Sequence, residues 1–115
     1  MGTAAVSGIV KDGERAEALA AVMRALGNPA RLRVMACLCA GERSVGEISR
    51  TVGLSQAATS QQLSALRLHG LVRVRREGGF RHYSATFPAV GDMLACLGRC
   101  WQAHGRGLAG RSAGR

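Results

Sequence analysis

Aromatic side chains are scarce in this chain of 115 residues, which has only Phe80, Tyr83, Phe87 and Trp101. Its hydrophobic fraction of 47% is still enough for a core, built from Leu, Val, Ala and Met on helices. Proteins that bind single-stranded RNA stack bases on aromatic platforms. Here Phe80 and Tyr83 lie three residues apart in an extended segment, so they face opposite sides and form no such platform. The sequence therefore does not favour single-stranded RNA as a partner.

Long hydrophobic runs are also missing. Arg24, Arg31, Arg33 and Glu42 interrupt the richest apolar stretch, so no segment reaches the ~20 apolar residues that cross a membrane. The first seven residues lack the charged start and apolar stretch of a signal peptide. The length allows one domain. We expect a cytoplasmic protein with no membrane partner.

Acidic residues are few, and this is the first sign of function. Seven acidic residues oppose sixteen basic ones, for a formal net charge of +9, and Lys11 is the only lysine. Arginine donates paired hydrogen bonds to phosphate and guanine. The charge therefore predicts a nucleic-acid partner.

Signatures of catalysis are absent from the sequence. There is no Ser/His/Asp or Cys/His arrangement and no glycine-rich phosphate loop, and His69, His82 and His104 are scattered. The cysteines are spaced Cys-x-Cys and Cys-x-x-x-Cys, whereas thiol oxidoreductases use Cys-x-x-Cys. We expect no enzyme, no cofactor and no metal site of ordinary spacing.

The order of local patterns predicts a mainly α protein with a small β-hairpin. Helical spacing of apolar residues gives way to alternation after Leu71, and Glu77-Gly78-Gly79 marks a turn. Two short helices around Gly53 form a helix-turn-helix pattern, with Ser44 and Ser55 as N-caps. Together these predict a winged helix-turn-helix with extra amino- and carboxy-terminal helices. The expected segments are a flexible amino terminus at 1–9, a domain at 10–104 and a flexible basic tail at 105–115. Within the domain, helices are expected at 10–26, 29–40, 45–52, 55–69 and 88–104.

The helix that begins near Ser55 has the composition of a DNA-reading helix. Ala58, Leu63 and Leu66 form its inward stripe, with Leu68 as a further candidate. Its other side chains are small and polar rather than charged, and Gln, Ser and Thr can hydrogen-bond base edges in the major groove. The candidate DNA contacts on this helix are Ser55, Gln56, Ala57, Thr59, Ser60, Gln61, Gln62, Ser64 and Arg67.

The hairpin adds a basic finger. Arg75, Arg76 and Arg81 are its candidate DNA contacts, beside Arg73 and only one acid, Glu77. Arginine binds phosphate and enters a narrow minor groove. The sequence therefore predicts double-stranded operator DNA as the partner.

Several of these segments together resemble the ArsR/SmtB family of bacterial repressors, over roughly residues 15–100. The resemblance implies a homodimer joined through its first and last helices, which releases operator DNA when it senses a small inducer. The segments that carry it are Leu26-Gly-Asn-Pro-Ala-Arg-Leu32, Ser44-Val-Gly-Glu-Ile48, Leu54-Ser-Gln-Ala-Ala-Thr-Ser-Gln-Gln-Leu63, Leu66-Arg-Leu-His-Gly-Leu-Val72, Arg75-Arg-Glu-Gly78 and His82-Tyr83.

The positions of the cysteines and other possible metal ligands indicate which kind of inducer to expect. The family's arsenic-site cysteines would fall at Ser44 and Gly46, and only Asp92 and His104 lie where its last-helix metal sites would be. The chain is instead similar to the thiol-switch subgroup that senses persulfide or oxidants, whose cysteine positions would fall at Ala36 and Gln102.

The candidate sensing residues are therefore Cys39, Cys100, Cys96 and Cys37. Cys39 lies about 60° around a helix from position 36, and Cys37 about 100°. The resemblance thus implies a disulfide or longer sulfur bridge from Cys39 to Cys100 or Cys96.

Other interpretations remain open. Each cysteine can be a small core residue. Three thiols can bind arsenite, mercury or cadmium, which would make the chain a soft-metal-responsive repressor. A degenerate helix-turn-helix that binds a protein and ignores DNA is the remaining alternative.

Overall fold

A computed structural model describes residues 2–105 of the chain, which form six helices and a small antiparallel sheet. The elements in chain order are α1 (Gly2–Lys11), α2 (Gly13–Leu26), α3 (Pro29–Cys39), β1 (Arg43–Ser44), α4 (Val45–Val52), α5 (Gln56–Leu68), β2 (Val72–Glu77), β3 (Phe80–Ala85) and α6 (Pro88–His104).

Side-chain caps decide where most helices begin. The carboxylate of Asp12 accepts the N–H groups of Glu14 and Arg15, and this cap starts α2. Asn28 caps α3 by accepting the N–H of Arg31 at 3.0 Å. Ser44 and Glu47 form a complete capping box at α4. Each cap satisfies a backbone N–H that has no partner within its helix.

The sheet has the strand order β1-β3-β2. A two-residue turn joins β2 to β3, and both of its residues, Gly78 and Gly79, have positive φ (58° and 81°). Only glycine adopts that pair of conformations cheaply, which is why the hairpin turns there. The two-residue strand β1 pairs with β3 and was not anticipated from the sequence, because its pairing with Tyr83 and His82 is non-local.

The core lies where α3, α4 and α5 meet the sheet. Aliphatic side chains fill it, and Tyr83 is its only aromatic contribution among the described residues. The largest fully buried side chains of this core are Val34, Met35, Leu38, Ile48, Leu63, Leu66, Leu71 and Thr59.

Three expectations from the sequence need correction or lie outside the structure. Residues 1–9 were expected to be frayed, but most of them form α1, which the helix-favouring Ala4 and Ala5 support. The single helix expected from Val10 to Leu26 is two helices, because Asp12 caps a new one. The basic tail lies outside the described residues, apart from Gly105.

No helix within residues 2–105 is long and apolar enough to span a membrane.

Candidate nucleic-acid interface

Helices α4 and α5 form the helix-turn-helix that the sequence predicts. Gly53 ends α4 with φ 73°, and the N–H groups of Gly53 and Leu54 both donate to the carbonyl of Ser49. Between the helices, the buried Ser49 hydroxyl donates to Thr59 Oγ1 at 3.0 Å, and Thr59 donates to the Ser55 carbonyl at 2.8 Å. This chain of hydroxyls fixes the two helices against each other.

The outward face of α5 is uncharged over its first two turns. The Ser55 side chain accepts the backbone N–H of Ala58. The backbone N–H groups of Gln56 and Ala57, in the first turn of α5, have no partner within the helix. Backbone N–H groups placed this way bind phosphate. The exposed side chains that the sequence predicted for DNA contact are Ser55, Gln56, Ala57, Ser60, Gln61, Ser64 and Arg67.

Two predicted contacts on α5 point elsewhere. Thr59 was expected to meet DNA, but its side chain is 0% exposed and occupied by Ser49 and Ser55, so the structure contradicts that prediction. Thr59 instead belongs to the buried, inward-facing stripe of α5. Leu68, the further candidate for that stripe, is 85% exposed. Gln62 is half-buried on the flank of the helix that faces α3.

The hairpin carries two kinds of arginine. Arg76 and Arg81 are exposed and lie directly opposite each other in the β2–β3 register. Like charges in that position repel, and an anion placed between them would relieve the repulsion. The pair is therefore suited to phosphate.

Arg75 differs because its guanidinium is already paired with two carboxylates. Its guanidinium donates to Glu42, in the loop after α3, at 2.9 and 3.2 Å, and to Glu77 at 2.8 Å. The hydrogen bond from Arg75 lowers the pKa of each of the two carboxyls, and the two acids raise the pKa of Arg75. Arg75 thus ties the hairpin to the loop after α3 and is less available to DNA than the sequence suggested.

Comparison with known proteins identifies the family. Residues 28–74 match the sequence pattern of the bacterial regulatory protein, arsR family. The chain is 42% identical over 84 residues to nodulation protein NolR of Rhizobium meliloti, covering 73% of this chain and 69% of that protein. The chain belongs to the ArsR family. It is therefore a DNA-binding regulator, and the family is one of regulatory proteins rather than enzymes.

Solved structures of ArsR-type regulators confirm the fold. The crystal structure of the transcriptional repressor BigR from Xylella fastidiosa matches with a TM-score of 0.71 and 32% identity, over 80% of this chain and 91% of that one. The homodimeric winged helix-turn-helix DNA-binding domain of Mb0332 from Mycobacterium bovis matches with a TM-score of 0.72 and 31% identity, over 82% and 87%. The winged helix-turn-helix expected from the sequence is thus confirmed.

The thiols of this ArsR-family chain are all free in the described structure. Cys39 is half-buried, and burial raises the pKa of its thiol. It packs against Gly91 of α6 so closely that a Cβ at position 91 would lie 3.4 Å from its Sγ. Cys39 also lines an open cleft of about 710 Å³ between the end of α3, β3 and the start of α6, together with Glu42, Phe87 and Asp92.

The structure does not bring the expected cysteine pair together within one protomer. Cys100 lies nine residues beyond Gly91, which is about 13 Å along the axis of α6 and on its opposite side. Cys96 is about 7 Å along and about 140° around the helix, and it is exposed. A disulfide needs Cα atoms within about 7 Å of each other. Cys39 and Cys100 can therefore join only if α6 moves, or if the partner subunit supplies one of the thiols.

Within residues 2–105, no three His, Cys, Asp or Glu side chains are grouped in a way that could hold a metal ion.

Sequence reasoning missed two residues that organise this interface, Arg31 and Glu42. Arg31 donates to Gln62 of α5 and to the carbonyl of Ala25. One signal was available for Arg31, because a cation in the first turn of a helix opposes the helix dipole and so needs another reason to be there. Glu42 gave no local signal, since Arg75 is 33 residues away.

Proposed function

We propose that the chain is a homodimeric repressor that reads operator DNA with α5 and releases it when an inducer acts on its thiols. The observation that carries the DNA-reading part is the exposed polar face of α5, which has no acidic residue, next to free arginines. Such a face lies in the major groove in helix-turn-helix proteins. Gln56, Ala57, Ser60, Gln61 and Ser64 would face base edges.

Phosphate contacts come from the flanks of that face. Ser55 and the first N–H groups of α5 meet one strand, and Arg67 lies at the carboxy-terminal end of the same helix. Arg76 and Arg81 extend the basic surface along the hairpin. Phosphate contacts position a protein and make its affinity depend on salt, whereas base contacts give specificity.

A second copy of the chain is needed to cover its terminal helices. Several large apolar side chains of α1, α2 and α6 are exposed, among them Val10 (80%), Met23 (49%) and Trp101 (48%). Exposed apolar surface of this kind marks an interface. Two copies related by a twofold axis would place two α5 helices about one turn of DNA apart. Because bacterial operators lie in the cytoplasm, the dimer would act there.

A thiol switch is the inducer mechanism that we propose, on the resemblance to the thiol-switch subgroup. A small-molecule persulfide transfers its outer sulfur to one protein thiol, which becomes a persulfide while the donor leaves as its free thiol. A second protein thiol then attacks that sulfur-bearing cysteine, which forms a disulfide and releases hydrogen sulfide. With peroxide, two thiols lose two electrons and two protons, giving a disulfide and two water molecules. Cys39 paired with Cys100 or Cys96 remains the proposed pair, with Cys37 as the less favoured thiol of α3.

Movement of α6 would transmit the signal. Cys39 is seated against Gly91, so a bond from Cys39 to Cys100 of the same chain requires α6 to slide or rotate on α3. Because α6 is also part of the proposed dimer surface, that shift would change the spacing of the two α5 helices. A soft metal bound by three thiols is the alternative inducer. Because residues 2–105 do not group three such ligands, it too would require α6 to move or the partner subunit to supply a thiol.

Fluorescence anisotropy with the DNA upstream of the chain's own gene tests this function. The reduced protein should bind that duplex more tightly than a scrambled one, and glutathione persulfide or peroxide should abolish the preference. Loss of binding with arsenite alone, together with a thiolate-to-metal absorbance band, would favour the metal alternative. Equal binding to both duplexes, or none, would contradict the repressor proposal and favour a protein-binding module.

A further inference from the structure

We propose that Arg31 and Gln62 form a clamp that sets the rotation of α5 about its axis, and that neither side chain contacts DNA. This inference rests on the proposed function, because it concerns which face of α5 reads the operator. It removes Gln62 from the base-reading residues that the sequence predicted. It adds Arg31 as a positioning residue.

The geometry of Arg31 is fixed at three points. Its own N–H is held by the Asn28 cap at 3.0 Å, its Nη1 donates to the Ala25 carbonyl at 3.0 Å, and its Nε donates to Gln62 Oε1 at 3.2 Å. The Ala25 carbonyl is in the last turn of α2 and has no donor within that helix. A cation at a helix carboxy terminus is also favoured by the helix dipole. Arg31 is therefore anchored to α2 and α3 before it reaches α5.

Gln62 lies on the flank of α5 rather than on its outward face. Counted at 3.6 residues per turn, it is about 40° around the helix from the buried Leu66 and about 100° from the exposed Gln61. It is half-buried, as is Arg31. From that position the side chain of Gln62 reaches α3 more easily than it reaches a DNA groove that faces Gln61.

The hydrogen bond also limits what Gln62 offers to a base. Arginine only donates, so the amide oxygen of Gln62 must be the atom that faces it. A glutamine that pairs with adenine needs its oxygen and its nitrogen together. With its oxygen turned towards Arg31 on α3, Gln62 is not placed to make that paired contact.

The clamp links two parts of the molecule. Leu63 and Leu66 hold α5 against the core, but apolar contacts tolerate some rotation because they are not directional. A hydrogen bond from an anchored guanidinium is directional. It connects the end of α2, which lies next to the proposed dimer surface, to the DNA-reading helix. A change in dimer packing would therefore reach α5 through Arg31.

Charge substitutions distinguish a clamp from a DNA contact. Gln62→Glu keeps an acceptor for Arg31, so affinity for the upstream duplex should stay within about threefold of that of the unchanged protein. The matched substitution Gln61→Glu, on the outward face, should cost about tenfold or more, because it opposes phosphate and base acceptors. An equal loss in both variants would overturn the proposal.

Salt dependence gives a second, independent reading. Arg31→Met should weaken binding about tenfold while the slope of log affinity against log salt is unchanged. Arg67→Met, which removes a proposed phosphate contact, should make the slope shallower by about 0.9. If Arg31→Met also makes the slope shallower, Arg31 contacts phosphate and the clamp is wrong.

Rescue separates positioning from general damage to the fold. Arg31→Lys should bind more weakly, because an ammonium cannot reach both acceptors in the same geometry. Adding Gln62→Glu to that variant should restore affinity to within about threefold. If the paired variant binds no better than Arg31→Lys alone, residues 31 and 62 are not coupled and the proposal fails.

The clamp and the proposed function can fail separately. If the unchanged protein shows no preference for its upstream duplex, the repressor proposal fails. The clamp is then tested by thermal unfolding of Arg31→Met, Gln62→Met and the double variant. Destabilisations that are less than additive support the clamp, and additive ones overturn it.

Discussion

Arginines in this chain have different roles although their charge is the same. Arg31 is bound to Gln62 and Ala25, Arg75 is bound to two carboxylates, and Arg76 and Arg81 are exposed opposite each other. An ion pair on an exposed surface contributes little to stability. The pairing of Arg75 therefore matters mainly because it holds the hairpin to the loop that carries Glu42, and because it removes one cation from the DNA surface.

Substituting Glu42→Gln tests that reading of Arg75. Without the carboxylate of Glu42, the guanidinium is freer to reach phosphate, so the salt slope of DNA binding should steepen by about 0.9. The measurement is anisotropy at several salt concentrations. Glu17→Gln, on the exposed face of α2, adds the same charge without freeing an arginine and should leave the slope unchanged.

Lowering the pH should steepen the salt slope of DNA binding as Glu42→Gln does, because protonation also removes the charge of Glu42. Because the pKa of Glu42 is lowered by Arg75, the ion pair is intact near neutral pH and is lost only as pH falls through the lowered pKa. Anisotropy at several salt concentrations, repeated at falling pH, measures this. If the slope of log affinity against log salt already steepens as the pH falls near neutrality, Arg75 is not held by Glu42.

At the scale of elements, the helix-turn-helix depends on a buried hydrogen bond as well as on apolar packing. Ser49 and Thr59 are the two buried polar side chains of the described structure, and each is a partner of the other. Buried polar groups that lose a partner cost more than the bond itself contributes. Thr59 therefore holds α4 and α5 together.

Replacing Thr59 by Val should expose this role. The shape is kept, but Ser49 loses its acceptor and the Ser55 carbonyl loses a donor, so the free energy of unfolding should fall by about 1–3 kcal/mol. Thermal or urea denaturation measures it. Thr51→Val removes an exposed hydroxyl of α4 and should change stability by less than about 0.5 kcal/mol. A stable Thr59→Val protein that has lost only DNA affinity would mean that Thr59 contacts DNA.

Elements with local signals were predictable, and those with distant partners were not. Ser44 and Glu47 predict the start of α4 because a capping box closes within four residues. The paired strand β1 and the Glu42–Arg75 bond join residues far apart in the sequence, so no local pattern reveals them. Thr59 was misassigned because its residue type is polar while its partner, Ser49, lies in the preceding helix. The cysteine pair stays a prediction.

At the scale of the whole molecule, most of the large exposed apolar side chains lie away from the proposed DNA-binding elements. The proposed DNA-facing elements are α5 and the hairpin, whereas most large exposed apolar side chains of the described residues lie on α1, α2 and α6; Leu68 and Phe80 are exceptions. Net positive charge opposes the association of two copies, so the proposed dimer would have to be held by apolar burial that exceeds this repulsion. Affinity for an operator would then depend on both surfaces, because two α5 helices would bind together only when the proposed dimer holds them at the spacing of the DNA.

Substituting Trp101→Glu tests this division of surfaces. The side chain is 48% exposed in a single chain, so the monomer should fold, while a carboxylate at a dimer contact would be buried without a partner. Sedimentation should show a monomer, and its circular dichroism spectrum should be unchanged. Its affinity for the upstream duplex, measured by anisotropy, should be strongly reduced. The control is Phe80→Glu, which places the same charge at another exposed aromatic residue, 67% exposed, at the tip of the hairpin. That variant should remain dimeric and lose affinity through repulsion of phosphate alone. If Trp101→Glu stays dimeric while Phe80→Glu dissociates, the dimer surface lies on the hairpin and the assignment of α6 is wrong.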